Sequence, residues 1–570
     1  MNCRESSRIL SFLLITSFGL SSVLFGCRSS PYGQEKSDAT DPYDDALKIA
    51  TETIAPSGGK ISVRNPDSSL DGLTIEVPAG AYETSVEFSI YEGPIPDIAL
   101  EEEIDIISPM IIIDNGGEYS NEIMGVTVPI EVPEEDFAMA FLYDPENDKL
   151  EGVPTYPENN GSLTFLTRHF STYAMLSVKK STLDNLNFFT KYSPTNDFWN
   201  LPNAGSVVAP GGYCHGMALT SLYYSDPDAF GFDFTKQEPL YKDEYDNGSD
   251  HIVESPFFWQ DDKRPIQLCS VANSLRPTER GAATIDKWWM FAKEKFALDI
   301  DEKHFYLCAF SLWASTDPHL LSIWNTQTNS GHALICYGIH NQSLDVLDPN
   351  IPLQASKIDY DRVSSSFEPY ETANNYQDYA EGNLVTYDIV AFSGWTIHYN
   401  LDKLAELCHE YENKSLDKYF PSYDIVASNL DENENVICNY VLDTEGDVTE
   451  AGMMSFELDA PFDGRLRVYN DSLDELPAEC VQLHPGDNYL GFLAEAKDDD
   501  YWWWVGFDWV SITCNYDETL QEREKDGACT MESLRRDCRK GVSGIKCPDG
   551  TCWRCVNGEP VQVECSDTNQ

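Results

Sequence analysis

Positive charge is scarce in this chain of 570 residues: Lys and Arg number 38 against 96 Asp and Glu, a net charge of −58. A polyanion repels phosphate backbones, which argues against nucleic acid as a partner and makes anionic lipid headgroups poor ones. Histidine is also sparse, and His251, His304, His319, His340, His398, His409 and His484 fall at no metal-ligand spacing, so no resident metal or cofactor is expected. Asp243-x-Tyr245-x-Asn247-Gly248 with Glu254 follows the calcium-loop template only in part. Tyr245 stands where a ligand belongs, so an Asp-Asn-Gly turn is the simpler reading. Past the N-terminal 25 residues, no run approaches the roughly 20 apolar residues of a spanning helix.

What is present is apolar and aromatic material, at 42% and 12% of residues, punctuated by 35 Gly and 31 Pro. Such a chain can bury cores, and its length suits three or four domains of about 100–200 residues.

The N-terminus reads as a targeting segment. Arg4 and Arg8 precede an apolar run from Ile9 to Phe25, the pattern of a secretory signal. The run ends in Leu24-Phe25-Gly26-Cys27, which resembles a bacterial lipobox. The resemblance implies cleavage after residue 26, diacylglycerol on Cys27 and a polar tether over 27–51. The expected partner is then a membrane, reached through lipid. Arg28, where inner-membrane retention usually has Asp, points to an outer-membrane or cell-surface lipoprotein.

Export permits disulfides. Of the 16 cysteines, six crowd the tail 526–570: Cys529, Cys538, Cys547, Cys552, Cys555 and Cys565. Six cysteines allow 15 pairings, and Cys552-x-x-Cys555 also fits half a zinc site. Without a His in the tail, a disulfide-rich knob is the expectation. Cys3 would leave with the signal and Cys27 would take lipid; if one of the remaining eight is a catalytic thiol, the odd count leaves at least one more unpaired.

Three folded regions precede the tail. Over 52–180, alternation and turn residues predict an antiparallel β-sandwich with strands at 60–63, 73–77, 86–91, 104–113, 125–130, 141–144 and 162–167. Gly58-Gly59-Lys60-Ile61-Ser62-Val63 followed by Pro78-Ala79-Gly80-Ala81 is similar to the ZU-five domain, and His169-Phe170-Ser171 near its end extends the likeness. Some ZU-five domains cut themselves between Phe and Ser at that tripeptide. The resemblance implies a candidate cleavage of Phe170–Ser171 assisted by His169, beside the plainer reading of a strand with an exposed Ser.

Over 183–408 aromatics increase and helical periodicity appears. Ile285, Trp288, Trp289, Ala292 and Phe296 form one stripe, in what reads as an α+β region. Over 429–515 alternation returns, predicting a second β-sandwich with strands at 454–458, 464–469, 488–493, 503–507 and 510–514. Trp502, Trp503, Trp504 and Trp509 there suit either a carbohydrate-stacking platform or a division between core and surface.

Chemistry concentrates in the α+β region. In Gly211-Gly212-Tyr213-Cys214-His215-Gly216-Met217-Ala218, two glycines end a loop and Cys214 opens a helix predicted through Tyr224. The positive end of a helix dipole favours a thiolate, and unpaired N–H groups there can hold an oxyanion. Downstream, Gly331-His332-Ala333 leads into an apolar strand, and Leu344–Leu347 into Asp348-Pro349-Asn350. If the two strands pair about a turn at Asn341-Gln342, residue 332 lies opposite 351. That brings His332 to the same sheet end as Asp348 and Asn350, either of which can orient an imidazole. Helix-borne Cys, strand-borne His and an orienter form a nucleophile–base–orienter set.

This set resembles the papain-like cysteine peptidases, closest to the leader peptidases of bacteriocin exporters. The matching motifs are Cys-x-Gly-Met-Ala at 214–218, Gly-His-Ala at 331–333 and Asp-Pro at 348–349. The resemblance implies Cys214 as nucleophile, His332 as base and acid, and Asp348, alternatively Asn350, as orienter. The family's oxyanion Gln is missing; the Cys214 backbone amide remains, with Asn203 or Asn200 as a substitute donor. The expectation is an extracytoplasmic thiol hydrolase of peptide or isopeptide bonds. The alternatives are a non-catalytic binding or adhesion protein and a transglutaminase-like acyl transferase.

Overall fold

The computed structural model describes residues 46–225, 262–274, 300–394 and 401–515, with short breaks, and three strands within 544–563. The leader with Cys27, the 285–296 stripe and the 243–254 template lie outside the described residues. No helix among the described residues is long and apolar enough to cross a membrane.

An α+β architecture with several β-sheets emerges. The first sandwich faces a seven-stranded sheet against a five-stranded one. Alternation drives it: Ile75, Phe88, Ile111, Val126, Phe165 and Tyr173 point inward from both sheets and fill one core. Two predictions needed revision. The stretch 104–113 is two strands, Asp105–Ile106 and Ile111–Asp114, because Pro109 has no N–H to continue a ladder. Leu47–Ile54, placed mainly in the tether, is an edge strand paired with Val86–Glu92; its mostly exposed side chains hid it from a search for apolar alternation.

The central region is a seven-stranded sheet covered on both faces. Its core strands are His319–Asn325, Ser330–His340, Ser343–Leu347 and Ala355–Asp361, consecutive antiparallel neighbours. The predicted turn is present, with Asn341 at φ 48° and Gln342 at φ 65°, both left-handed as a tight hairpin requires. One face carries the helix Ile300–Ser315, wedged between this sheet and the first sandwich. Phe137 and Phe141 of the sandwich, Phe305 and Phe310 of the helix, and Leu334 and Val346 of the sheet share one core. The other face carries the helices Cys214–Ser225, Lys263–Ser274 and Leu401–Glu412. Met217, Ile266 and Leu407 from these pack with Ile335, and with Trp504, Phe507 and Trp509 of the second sandwich.

That second sandwich pairs a four-stranded with a five-stranded sheet, around Phe456, Phe492, Val510 and Ile512. Its long hairpin, Gly486–Asp498 with Tyr501–Cys514, merges the two short strands predicted at 503–507 and 510–514. The tryptophans are not an exposed row. Trp503, Trp504 and Trp509 are buried, and Arg465 stands 4.3 Å over the Trp502 ring.

The expected disulfide-rich tail is not supported. Among the described residues no two cysteines are joined, and Cys214, Cys269, Cys308, Cys336, Cys408, Cys480 and Cys514 are thiols. Cys438 is disulfide-bonded. The described tail is a three-stranded antiparallel sheet, Gly544–Lys546, Cys552–Val556 and Glu559–Val563. Cys552 and Cys555 lie on its middle strand; Cys529, Cys538, Cys547 and Cys565 lie outside the described residues. The buried thiols have a physical reason. Cys214, Cys269 and Cys408 in one core, and Cys308 and Cys336 in the other, sit among aliphatic and aromatic side chains, where a thiol packs as a small apolar group.

Candidate functional site

The loop before Cys214 is shaped by glycine. At Gly205 (φ 83°) an added Cβ would lie 2.8 Å from the Trp503 ring, and at Gly212 (φ 127°) 2.8 Å from the Asn203 amide. Both conditions suit only glycine, and together they deliver Tyr213-Cys214 to the helix start. Two residues on, a Cβ at Gly216 would meet the Cys269 carbonyl at 1.9 Å. The motif's glycine thus lets the Cys214 and Cys269 helices approach backbone to backbone. Cys214 is the first residue of its helix, and 7% exposed.

His332 comes from the opposite element. Its strand pairs Ile323 with His332 on one side and continues into the hairpin on the other. A bulge between Cys336 and Gly338 shifts the hairpin register by one residue, so residue 332 extrapolates to opposite 350 rather than 351. His332 Nε2 donates to Asp348 Oδ1 at 2.8 Å. The same oxygen accepts the Asn350 backbone N–H at 2.8 Å, and Oδ2 accepts the Tyr370 hydroxyl at 3.1 Å. Asp348 is fully buried. Burial alone would raise its pKa, but the His332 imidazolium, the Thr372 hydroxyl and the Asn350 N–H hold the carboxyl below its ordinary value.

His332 is 3% exposed. Burial alone would lower its pKa; the Cys214 sulfur and the Asp348 carboxylate, each a charge partner and a hydrogen-bond partner, overcome that and raise it to about 10. With Nε2 on Asp348, the other ring nitrogen, Nδ1, is buried without a hydrogen-bond partner.

The choice between Asp348 and Asn350 falls to Asp348 on donor logic. Asn350 presents its Nδ2 to His332 Nε2 at 3.5 Å, donor toward donor. That amide is spent on Thr372 Oγ1 at 3.1 Å and the Ala373 carbonyl at 2.9 Å. Asn203 is in the site but is not a spare oxyanion donor. Its two amide hydrogens go to Asn350 Oδ1 at 3.0 Å and the Asn374 carbonyl at 3.1 Å. Tyr370, Thr372, Asn374 and Tyr387, whose ring centre is 6.2 Å from that of His332, were invisible in the sequence. They arrive from a segment with no motif.

His169-Phe170-Ser171 lies far from these residues in the fold, at the end of the first sandwich. Burial pushes the His169 pKa down to about 4, and its ring lies 4.5 Å from that of Tyr119. Phe170 is in the sandwich core, and the Ser171 carbonyl accepts the Ile113 N–H at 3.0 Å. Among the described contacts, none joins the His169 ring to Ser171. No cluster that could hold a metal ion occurs among the described residues.

Neither a family profile nor a curated protein matches this chain.

Proposed function

We propose that the protein is a membrane-anchored thiol hydrolase acting outside the cytoplasm on a peptide or isopeptide bond. The observation that carries the reading is His332, which is held through Nε2 by a buried carboxylate and whose proton affinity is raised by the Cys214 sulfur. That arrangement supports a thiolate–imidazolium pair. The thiolate attacks the substrate carbonyl carbon, and the developing oxyanion lies toward the amides of the helix start. His332 Nδ1 gives its proton to the leaving amine, breaking the C–N bond and leaving a thioester on Cys214. Water, deprotonated at Nδ1, then attacks the thioester and returns the thiolate. An amine acceptor in place of water would make the same site a transferase.

The test is alkylation of Cys214 by a small electrophile across pH. Reactivity is expected to persist well below the free-thiol pKa of about 8.5. His332→Ala should move it to higher pH and cost turnover roughly 10²–10⁴-fold. Asp348→Ala should be worse than Asp348→Asn, since an amide still orients the ring. A flat response to His332→Ala rejects the reading.

One observation favours a second reading, a binding protein that keeps the fold without turnover. Cys214, His332 and Asp348 are all nearly closed to solvent, and Asn203 supplies no oxyanion donor. A Cys214 that alkylates but releases no product from any peptide library would decide for it. The anchor is a separate proposal: mass spectrometry should find a mature N-terminus at an acylated Cys27, and an intact Leu24–Cys27 junction would refute it.

A further inference from the structure

Asn203 has no place in the chemistry above, yet it is completely buried and every hydrogen-bonding group it owns is engaged. Its side-chain Oδ1 accepts the Tyr213 N–H at 2.5 Å, the amide just before the nucleophile. Its Nδ2 donates to Asn350 Oδ1 and to the Asn374 carbonyl. Its backbone N–H donates to the Pro349 carbonyl at 3.0 Å, and its carbonyl accepts the Tyr376 N–H at 2.7 Å. Pro349 and Asn350 directly follow Asp348, so one residue touches the loop of the orienting carboxylate twice and the nucleophile's helix once. Gly212 leaves the space that this side chain fills.

We infer that Asn203 is a positioning residue that pins the start of the Cys214 helix to the Asp348–Asn350 loop and so sets the approach of Cys214 to His332. This rests on the hydrolase reading and deepens it. The bond network has a direction that pure fold glue would not need. The acceptor end addresses the nucleophile side, and the donor end addresses the orienter side. Buried amides of this kind are satisfied as a set, so removing one end leaves the other groups without partners. A shift of the nucleophile by a fraction of an ångström is enough to uncouple it from its base.

The experiment compares the full-length protein with Asn203→Ala and Asn203→Asp. Ala removes both ends of the network. Asp keeps an acceptor for the Tyr213 N–H but offers no donor to Asn350 Oδ1 or the Asn374 carbonyl. Two readouts are taken: Cys214 alkylation by a small electrophile from about pH 5 to about pH 9, a range that brackets the ordinary pKa values of His and Cys, and hydrogen exchange at the Tyr213 amide. In both variants alkylation at pH 6 should fall roughly tenfold or more, with its profile displaced toward the free-thiol range and cooperative melting retained. Tyr213 exchange protection should be lost in Asn203→Ala and kept in Asn203→Asp. An unchanged alkylation profile in both variants overturns the positioning role. If Asn203→Ala does not fold, Asn203→Asp carries the alkylation arm alone. If wild-type Cys214 proves indifferent to His332, the hydrolase reading fails by itself, and the pin is judged by exchange: equal protection at Tyr213 in wild type and Ala overturns it.

Discussion

The two β-sandwiches hold the central region in different ways. The first meets it through hydrocarbon: Phe137 and Phe141 lie against Phe310, with ring centres 6.3 and 5.3 Å away. The second adds backbone and charge to the apolar core it shares with the central helices. Ser206 bridges to Trp504 in parallel, the Val207 N–H donates to the Trp504 carbonyl at 2.9 Å, and Lys263 Nζ lies 3.3 Å from Asp508 Oδ1. Apolar contact is strong and tolerant of direction, whereas paired backbone fixes a loop in register. The first sandwich thus secures the sheet that carries His332, and the second fixes the loop that presents Cys214.

Acid should break the first attachment before the second. Burial lowers the pKa of His304 to about 3, with Lys303 adding to it, and lowers that of His319 to about 4 against its backbone hydrogen bonds. His304 Nδ1 accepts the Phe392 N–H at 3.0 Å, which requires it unprotonated. Both folded values lie below the ordinary 6.5, so the unfolded chain binds more protons below that pH. Their contribution is complete above pH 6.5 and is lost as pH falls toward 4 and then 3, by about 1.4 kcal/mol per pH unit for each ring. Chemical denaturation at several pH values should give this slope, and His319→Gln should flatten it.

Phe310→Ala comes next. Removing a ring buried between helix and sandwich should cost about 3–5 kcal/mol, read as a lower denaturation midpoint. The pH profile of Cys214 alkylation should stay where it was while the protein is folded. A shifted profile would erase the distinction between the two attachments.

The smallest effect on stability, and the sharpest on the site, is expected from Gly205→Ala. A left-handed Ala costs about 1–2 kcal/mol, and its methyl group would press on Trp503. The loop must shift, so Cys214 should alkylate more slowly at neutral pH, while the midpoint falls by less than in Phe310→Ala. Normal alkylation in this variant would show that the second sandwich has no hold on the site.

Much of this was legible in the residues, and the failures have physical causes. Cys214 opens its helix, Asn341-Gln342 forms the turn, and the predicted strand 464–469 is Gly464–Tyr469. Each rests on a local signal: glycine ending a loop, a polar pair between apolar runs, strict alternation. What failed depended on partners distant in sequence. The bulge after Cys336 carries no local mark in the residues, and the burial of Trp503 and Trp504 comes from a domain contact. Thiols packed in apolar cores look, in a sequence, like cysteines awaiting pairing. Asp348 and Asn350 could not be separated until the hydrogen-bond directions around Asn350 were in view. Asn203 was singled out for the right neighbourhood and the wrong task.

The pairing of Ser206 with Trp504 also bears on timing. A chain is made from its N-terminus, and domains fold as they emerge. Cys214 precedes Trp504 by about half the length of the chain, so the strand that steadies its loop arrives well after it. A nascent or truncated chain ending before residue 500 already contains Cys214, His332 and Asp348 without the partner that sets their loop. The register of the Cys214 loop is therefore set only once Trp504 has been made and its sandwich has folded.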